Sequence, residues 1–276
     1  MLKKRLDSLL VERGLVESRA QAQRLIMAGQ VRVNGELALK PSASVTEAAA
    51  VEIDHGPPFV SRGGEKLAAA LQAFQLSPAG RVCADVGAST GGFTDCLLQN
   101  GAALVYAIDV GKGILHWKLR QDPRVVVMEE TNARYVEFLP QEVQWVTIDA
   151  SFISLKVLLP VVKGWFGRPL AEAAGENQTT GHHRVILALI KPQFEAGRVQ
   201  AARGDGVIRD PEVHRQVLRN VLEFASREGY KIEGLVRSPL LGPKGNTEFL
   251  VWLSLSVPGE SPIPMDEIET WLASVT

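Results

Sequence analysis

From about residue 60 the chain alternates short apolar runs with stretches of helical spacing, and no other feature constrains its fold as strongly. Apolar runs lie at 82–86, 104–109, 125–128, 145–149, 185–190, 232–236 and 249–255, which makes seven candidate strands. Helical patterns lie between most of them, at Glu65–Phe74, Thr90–Asn100, Ser154–Val162 and Pro211–Glu228. Such alternation predicts an α/β domain whose mostly parallel sheet carries helices on both faces. Only Ser238–Asn246 joins the last two runs, too little for a helical crossover, so the final strand is expected to run antiparallel to its neighbour.

The first forty residues read differently. Leu2, Leu6, Leu9 and Leu10 fall on one helical face, and Gly14 supplies a left-handed residue to end that helix. Ser18-Arg-Ala-Gln21 has the form of a capping box opening a second helix that runs to Gly29. Val31 and Val33, the Asn34-Gly35 pair, and Leu37 and Leu39 then spell a hairpin around a type I′ turn, and a second strand pair through Val45, Val51 and Ile53 closes the unit. Asp54-His-Gly-Pro-Pro58 punctuates the chain as a linker. The expected organisation is therefore 1–58, 59–256 and a tail at 257–276 that ends in a short helix at Asp266–Leu272.

Charge and composition exclude several classes. No run of about 18 apolar residues occurs, so a membrane span is not expected, and the first thirty residues lack the apolar core of a secretory signal. A cytoplasmic protein is the expectation. Cys83 and Cys96 are too few for a disulfide framework and read as reduced, packed thiols. His182-His183 has no third ligand nearby in sequence, so no metal site is expected. The net charge of −1 conceals an asymmetry, because residues 1–40 hold eight basic side chains against four acidic ones. The sequence leaves the oligomeric state open.

Asp85-Val-Gly87-Ala-Ser89-Thr90-Gly91-Gly92-Phe93 directly follows the first strand of the alternating region and opens a helix. Glycines there let a ligand approach the backbone, and a helix N-terminus presents free N–H groups. No Lys-Ser or Lys-Thr follows, and the spacing is not G-x-G-x-x-G, so a phosphate loop or a dinucleotide is disfavoured. Asp85 beside the ligand suits a cation, and Asp109, 24 residues on, stands near the offset at which an acid meets ribose hydroxyls. Together they point to S-adenosylmethionine; a tight turn with no ligand is the plainer alternative.

Four polar residues stand at the edges of apolar segments: Lys66, Asp149, Lys191 and Glu248. Carboxyl ends of parallel strands form the ligand crevice of an open sheet, which directs Asp149 and Lys191 at the glycine turn. Two ammonium groups and two carboxylates in one cleft suit methylation of an alcohol. A free lysine titrates near 10.4, yet burial or a second ammonium can bring it to about 7 to 8, so Lys191 would be the base while the acids hold both ammonium groups in place. Each lysine taken alone could equally form a surface ion pair. The stretches Gly164–His183 and Gln193–Asp210 fit no element, and the second, with Gly197, Arg198, Arg203, Gly204 and Gly206, reads either as a basic lid or as a surface excursion.

Arg62-Gly-Gly-Glu-Lys66-Leu, the Asp85–Thr94 motif, Asp149-Ala-Ser-Phe-Ile-Ser and Ile190-Lys191-Pro-Gln-Phe-Glu195 closely resemble the TlyA family, named as haemolysins but including rRNA 2′-O-methyltransferases. Arg5-Leu-Asp, Ser18-Arg-Ala-Gln and Val31-Arg-Val-Asn-Gly35 resemble an S4-type RNA-binding domain. The resemblance implies a Rossmann-like class I methyltransferase domain behind a small α+β S4-like domain. It implies S-adenosylmethionine as cofactor and, as substrate, cytidine ribose in ribosomal RNA within ribosomal subunits. In related FtsJ-like enzymes a Lys-Asp-Lys-Glu tetrad carries catalysis, and Lys66, Asp149, Lys191 and Glu248 match it. The family's adenine-side acid is replaced here by Thr131-Asn132, whose amide can still bond an adenine edge. Arg5, Arg19, Arg24, Arg32 and Lys40 are the expected phosphate contacts. A membrane-active haemolysin and a non-catalytic RNA-binding protein remain the alternatives.

Overall fold

A computed structural model describes residues 3–54, 56–166, 184–197, 206–256 and 264–276. His182-His183, Arg198, Arg203, Gly204 and most of the two unassigned stretches lie outside the described residues. The chain divides into two compact units, Met1–Pro58 and Phe59–Thr276.

In the first unit, strand β1 (Lys3–Arg5) leads into helices α1 (Leu6–Glu12) and α2 (Arg19–Met27), followed by β2 (Val31–Val33), β3 (Glu36–Leu37), β4 (Ser44–Thr46) and β5 (Val51–Ile53). Residues 3–5 are a strand and not helix, because they pair antiparallel with β4 in the register Lys3↔Thr46. The sequence pairing of Val45 with Val51 and Ile53 is likewise corrected: β4 joins β1, whereas β5 joins β2 beside β3. Asn34 (φ 51°) and Gly35 (φ 83°) form the expected left-handed turn, but the return strand stops at Leu37 and leaves Leu39 exposed. Ser18 caps α2 by accepting from the Gln21 N–H, while Gln21 Oε1 reaches back to the Glu17 N–H, one residue beyond the expected cap position. Leu6, Leu10, Ala22, Ile26 and Val31 make the core of this unit.

The second unit opens with α3 (Gly63–Ala73), followed by β6 (Val82–Val86), α4 (Gly92–Gln99), β7 (Leu104–Ile108), α5 (Trp117–Arg120), β8 (Val125–Met128), β9 (Trp145–Ile148) and α6 (Leu155–Lys163). Then come β10 (Val185–Ile190), α7 (Pro192–Glu195), α8 (Pro211–Arg227), β11 (Tyr230–Arg237), β12 (Phe249–Leu255) and α9 (Met265–Val275). The seven strands form one sheet in the order β11-β12-β10-β9-β6-β7-β8. Pairings from β10 across to β8 are parallel, whereas β12 is antiparallel to both β10 and β11.

Strand alternation builds two cores. Ile186, Ala188 and Ile190 of β10 pack on the face covered by α6 and α8, and Val185, Leu187 and Leu189 pack on the face of α3 and α4. Cys83 and Cys96 belong to the second core, where burial pushes both thiols up to about 12. The final helix is not a separate tail: Ile268 and Leu272 of α9 are buried in the first core, and Glu269 pairs with Arg215 and Arg219 of α8.

This topology fixes where chemistry can sit. Carboxyl ends of β6, β7, β9 and β10 bring Gly87, Asp109, Asp149 and Lys191 to one sheet edge. Because β12 runs the other way, its first residues reach that same edge, with Phe249 opposite Ile190 and Glu248 just before it.

Candidate active site

At that edge lies a cleft of about 310 Å³. Its floor is the glycine turn, from which Gly87, Ser89, Thr90, Gly92 and Phe93 line the space. Lys66, Asp149 and Lys191 form its polar wall, and Leu240 and Leu241 close another side. A second cavity of about 80 Å³ adjoins it, sharing Gly87 and Ser151 and lined by Asp109 and Asn132 together with apolar side chains of Ile108, Val110, Ile153 and Leu158.

The four edge residues form two ion pairs. Lys191 Nζ lies 2.6 Å from Asp149 Oδ1 and 3.1 Å from Ser151 Oγ. Lys66 Nζ donates to Glu248 Oε2 at 2.5 Å. Their burial differs: the Asp149 side chain is 20% exposed, while Glu248 has no exposed surface. Glu248 therefore does not line the cleft; it stands behind Lys66. A Cβ at Gly242 would lie 2.1 Å from Glu248 Oε1, so the turn after β11 passes the carboxylate only because residue 242 has no side chain.

Close approach also explains the glycine turn. Gly87, at φ 83°, would carry a Cβ 2.7 Å from the Asp149 carbonyl oxygen, so a side chain there would push the loops after β6 and β9 apart. A Cβ on Gly92 would meet Ser61 Oγ at 2.3 Å. Gly91 is a correction to the sequence reading. It does not line the cleft, and its missing side chain makes room for Leu115 and Leu119.

Asp85 is a second correction. Its carboxylate has no exposed surface and points beneath the turn, accepting from Thr94 Oγ1 at 2.7 Å and Thr147 Oγ1 at 3.0 Å. Burial pushes this carboxyl up to about 7 against the lowering by the two hydroxyls, and the nearby Asp149 charge adds to the rise. A folded value above the ordinary one near 3.8 means that stability is fully present below about pH 3.8 and drains away as pH rises through about 7. Asp85→Asn does not titrate. Melting curves taken from pH 4 to 8.5 should therefore show the wild type falling relative to the variant up to about pH 7 and running parallel above it. Parallel curves throughout would mean the carboxyl is ionised in both states.

Asp109 lines the second cavity while its oxygens accept the backbone N–H groups of Ser89, at 2.8 Å, and Gly111, at 2.7 Å. It thus ties the glycine turn to the loop after β7. Asn132 Oδ1 accepts from the Arg134 N–H, leaving its NH₂ group for the cavity.

Arg5, Arg19, Arg24, Arg32 and Lys40 are all exposed on the first unit. Two share an anchor that sequence reasoning missed. Fully buried Asp7 accepts from Arg5 Nε and Nη2 and from Arg19 Nε, with Gln23 as a further donor. The Arg5 guanidinium, followed by Gln23 and Arg19, holds the Asp7 carboxyl well below the usual carboxylate range. Also missed were Ser151, Arg62, Leu240 and Leu241 as cleft residues. Ser151 lies inside a motif already singled out, but the two leucines sit in a connection whose sequence gives no sign of facing a ligand.

The pair of cavities fits S-adenosylmethionine. A narrow apolar slot with an acid and an amide at its rim suits a nucleoside, and the wider polar cleft leaves room for the methionyl end beside a second reactant. No helix among the described residues is long and apolar enough to cross a membrane.

Comparison with known proteins adds two family matches: the FtsJ-like methyltransferase model over residues 59–255 and the S4 domain model over residues 4–51. The 16S/23S rRNA (cytidine-2'-O)-methyltransferase TlyA of Mycobacterium tuberculosis is 45% identical over 253 residues, spanning 90% of this chain and 89% of that protein. Hemolysin A of Brachyspira hyodysenteriae is 38% identical over 249 residues, spanning 89% of this chain and 98% of that protein. A solved structure of a Streptococcus thermophilus protein with a provisional hemolysin name superposes with a TM-score of 0.68 at 41% identity, covering 99% of this chain and 96% of that one.

Proposed function

This chain belongs to the FtsJ-like methyltransferases and, within them, to the TlyA family, and from that premise we propose that it methylates a ribose 2′-hydroxyl of cytidine in ribosomal RNA, using S-adenosylmethionine. The observation that carries the reading is the Lys191–Asp149 pair in a cleft whose neighbouring cavity suits a nucleoside. Bound S-adenosylmethionine supplies an electrophilic methyl group on a sulfonium. Asp109 and Asn132 would hold its nucleoside part, and Gly87, Ser89, Thr90, Gly92 and Phe93 its methionyl end.

A ribose hydroxyl is a poor nucleophile until its proton leaves. Lys191 Nζ is the group placed to take that proton, and the resulting ammonium is held by Asp149 Oδ1 and Ser151 Oγ. Lys66, fixed by Glu248, presents a second ammonium to the cleft and steadies the attacking oxygen. Leu240 and Leu241 exclude water from one side. Phe152, 91% exposed and next in sequence to the cleft residue Ser151, offers a face on which the base of the target nucleotide can stack. Arg62, exposed at the cleft mouth, offers a guanidinium to a flanking phosphate.

Residues 1–58 would serve as the RNA-binding domain, with Arg5, Arg19, Arg24, Arg32 and Lys40 as phosphate contacts, and 59–276 as the catalytic domain. Phosphate contacts position without reading sequence, which suits a substrate presented in assembled ribosomal subunits in the cytoplasm. The test is mass spectrometric mapping of ribose-methylated nucleotides after the purified protein reacts with subunits from a strain lacking the enzyme. A new 2′-O-methylcytidine is the expected product; bound cofactor with no transfer to either subunit would overturn the reading. Dye release from liposomes, measured on the same preparation, separates it from the membrane activity that the hemolysin name suggests.

A further inference from the structure

The loops after β9 and β10 are joined at successive points along their length. Asp149 and Ser151 meet Lys191, the rings of Phe152 and Phe194 lie 4.9 Å apart, and the series closes at Glu195. Glu195 Oε2 accepts from Ser154 Oγ at 2.6 Å, and Oε1 accepts from the Leu155 N–H at 2.7 Å. Its carboxylate thereby sits at the start of α6, which Ser154 caps through the Lys156 N–H.

Glu195 does not line the cleft, and the transfer chemistry gives it no part. Burial raises its carboxyl above the usual range, against the lowering by Ser154 and Leu155, so the position is an unfavourable one for a charge. The loop it clamps is constrained as well. Phe152 adopts φ 63°, a left-handed conformation uncommon for an aromatic residue, and such a backbone persists only where its flanks are fixed. One flank is fixed by the Asp149 N–H bonding the Val86 carbonyl, at 2.9 Å. The other is fixed by Glu195.

We propose that Glu195 is a positioning residue for methyl transfer, tying the start of α6 to the end of α7 so that Asp149, Ser151 and Phe152 are held in register with Lys191. This inference rests on the methyltransferase reading above. It predicts that the tie matters more than the charge. A glutamine at 195 still accepts from the Leu155 N–H through its oxygen and donates to Ser154 Oγ through its amide, whereas alanine does neither.

The test uses the full-length protein with Glu195→Gln, Glu195→Ala and Ser154→Ala, measuring S-adenosylmethionine Kd, kcat and KM on ribosomal subunits, and the pH–rate profile. Glu195→Ala should lower kcat on the order of 10- to 100-fold, as expected for a misplaced reacting group, with cofactor Kd rising far less, since Ser151 and Ile153 of the clamped loop are only part of the second cavity's lining, and with the limb of the pH–rate profile that reports the base displaced. Glu195→Gln should retain most of the rate. Hydrogen exchange at the 150–155 amides, faster in Glu195→Ala than in Glu195→Gln, reads the tie without turnover. Wild-type kcat and profile in Glu195→Ala, or equal damage in Glu195→Gln, overturns the inference. If Glu195→Ala does not fold, Ser154→Ala, which loses one of the two bonds to Glu195 together with its own cap on the Lys156 N–H, should lower kcat far more than it raises Kd; a wild-type rate there overturns it equally. Failure of the wild type to transfer methyl groups would count against the function, and the exchange data would still decide the tie.

Discussion

Replacing Lys191 with alanine should lower kcat about 10²- to 10⁴-fold, the usual worth of a positioned general base, while leaving S-adenosylmethionine affinity and fold nearly intact. The expectation of an intact fold follows from burial. Asp149, the carboxylate left behind, is 20% exposed and lines the cleft; its Oδ1 is buried against Lys191, and truncating that cleft-lining side chain lets cleft water reach it. Lys191→Arg should not rescue, because a guanidinium does not give up its proton near neutrality and its planar fork does not fit a site built around a single Nζ. The measurement is initial-rate transfer of labelled methyl groups to ribosomal subunits, with cofactor Kd from calorimetry. Transfer that survives the loss of Lys191 within a few-fold would move the base elsewhere. Loss of cofactor affinity in parallel with kcat would make Lys191 a binding residue instead.

Lys66→Ala is expected to do something different. Glu248 is fully buried, its Oε2 bonds Lys66 Nζ, and Oε1 has no hydrogen-bond partner among the described residues. Removing the lysine strands that carboxylate where solvent does not reach, a change that costs about 3–5 kcal/mol for a buried pair. For a domain of this size the corresponding fall in Tm is on the order of 10 °C. Activity is lost too, both because the cleft loses its second ammonium and because the protein unfolds earlier. Replacing both partners, as Lys66→Met with Glu248→Leu, should recover most of the stability and none of the activity, since two apolar groups leave no charge uncompensated. Urea denaturation followed by tryptophan fluorescence measures all three. A Lys66→Ala protein as stable as wild type would show Glu248 taking up a proton or reaching water, contrary to the geometry.

Much of the second unit was legible because its strands are buried on both faces. A run such as Val185–Ile190, entirely apolar between polar flanks, admits few other readings, and the short Ser238–Asn246 connection forced the reversal of β12. Strand β1 was not legible. Lys3-Lys4-Arg5 has no apolar alternation, and it becomes a strand only through pairing with residues 44–46. Among the site residues, the types were readable and the partners were not. Lys66 meets Glu248 across 182 positions, a distance at which sequence carries no pairing signal. Asp85 shows the limit most clearly. An acid at a strand end beside glycines looks the same whether it faces a ligand or lies under the turn, and only the approach of Thr94 and Thr147 decides for the second.

The reversed strand β12 has a consequence for biosynthesis. It lies between β10 and β11, so β11 emerges from the ribosome before the strand that must separate it from the rest of the sheet. Until that late wedge is in place, Lys66 has no counterion and the outer edge of β10 stands open. A chain ending between β11 and Glu248 would thus still display the glycine notch but hold a bare lysine, inert and prone to aggregation. Counterion and sheet closure thus arrive together, with a single strand.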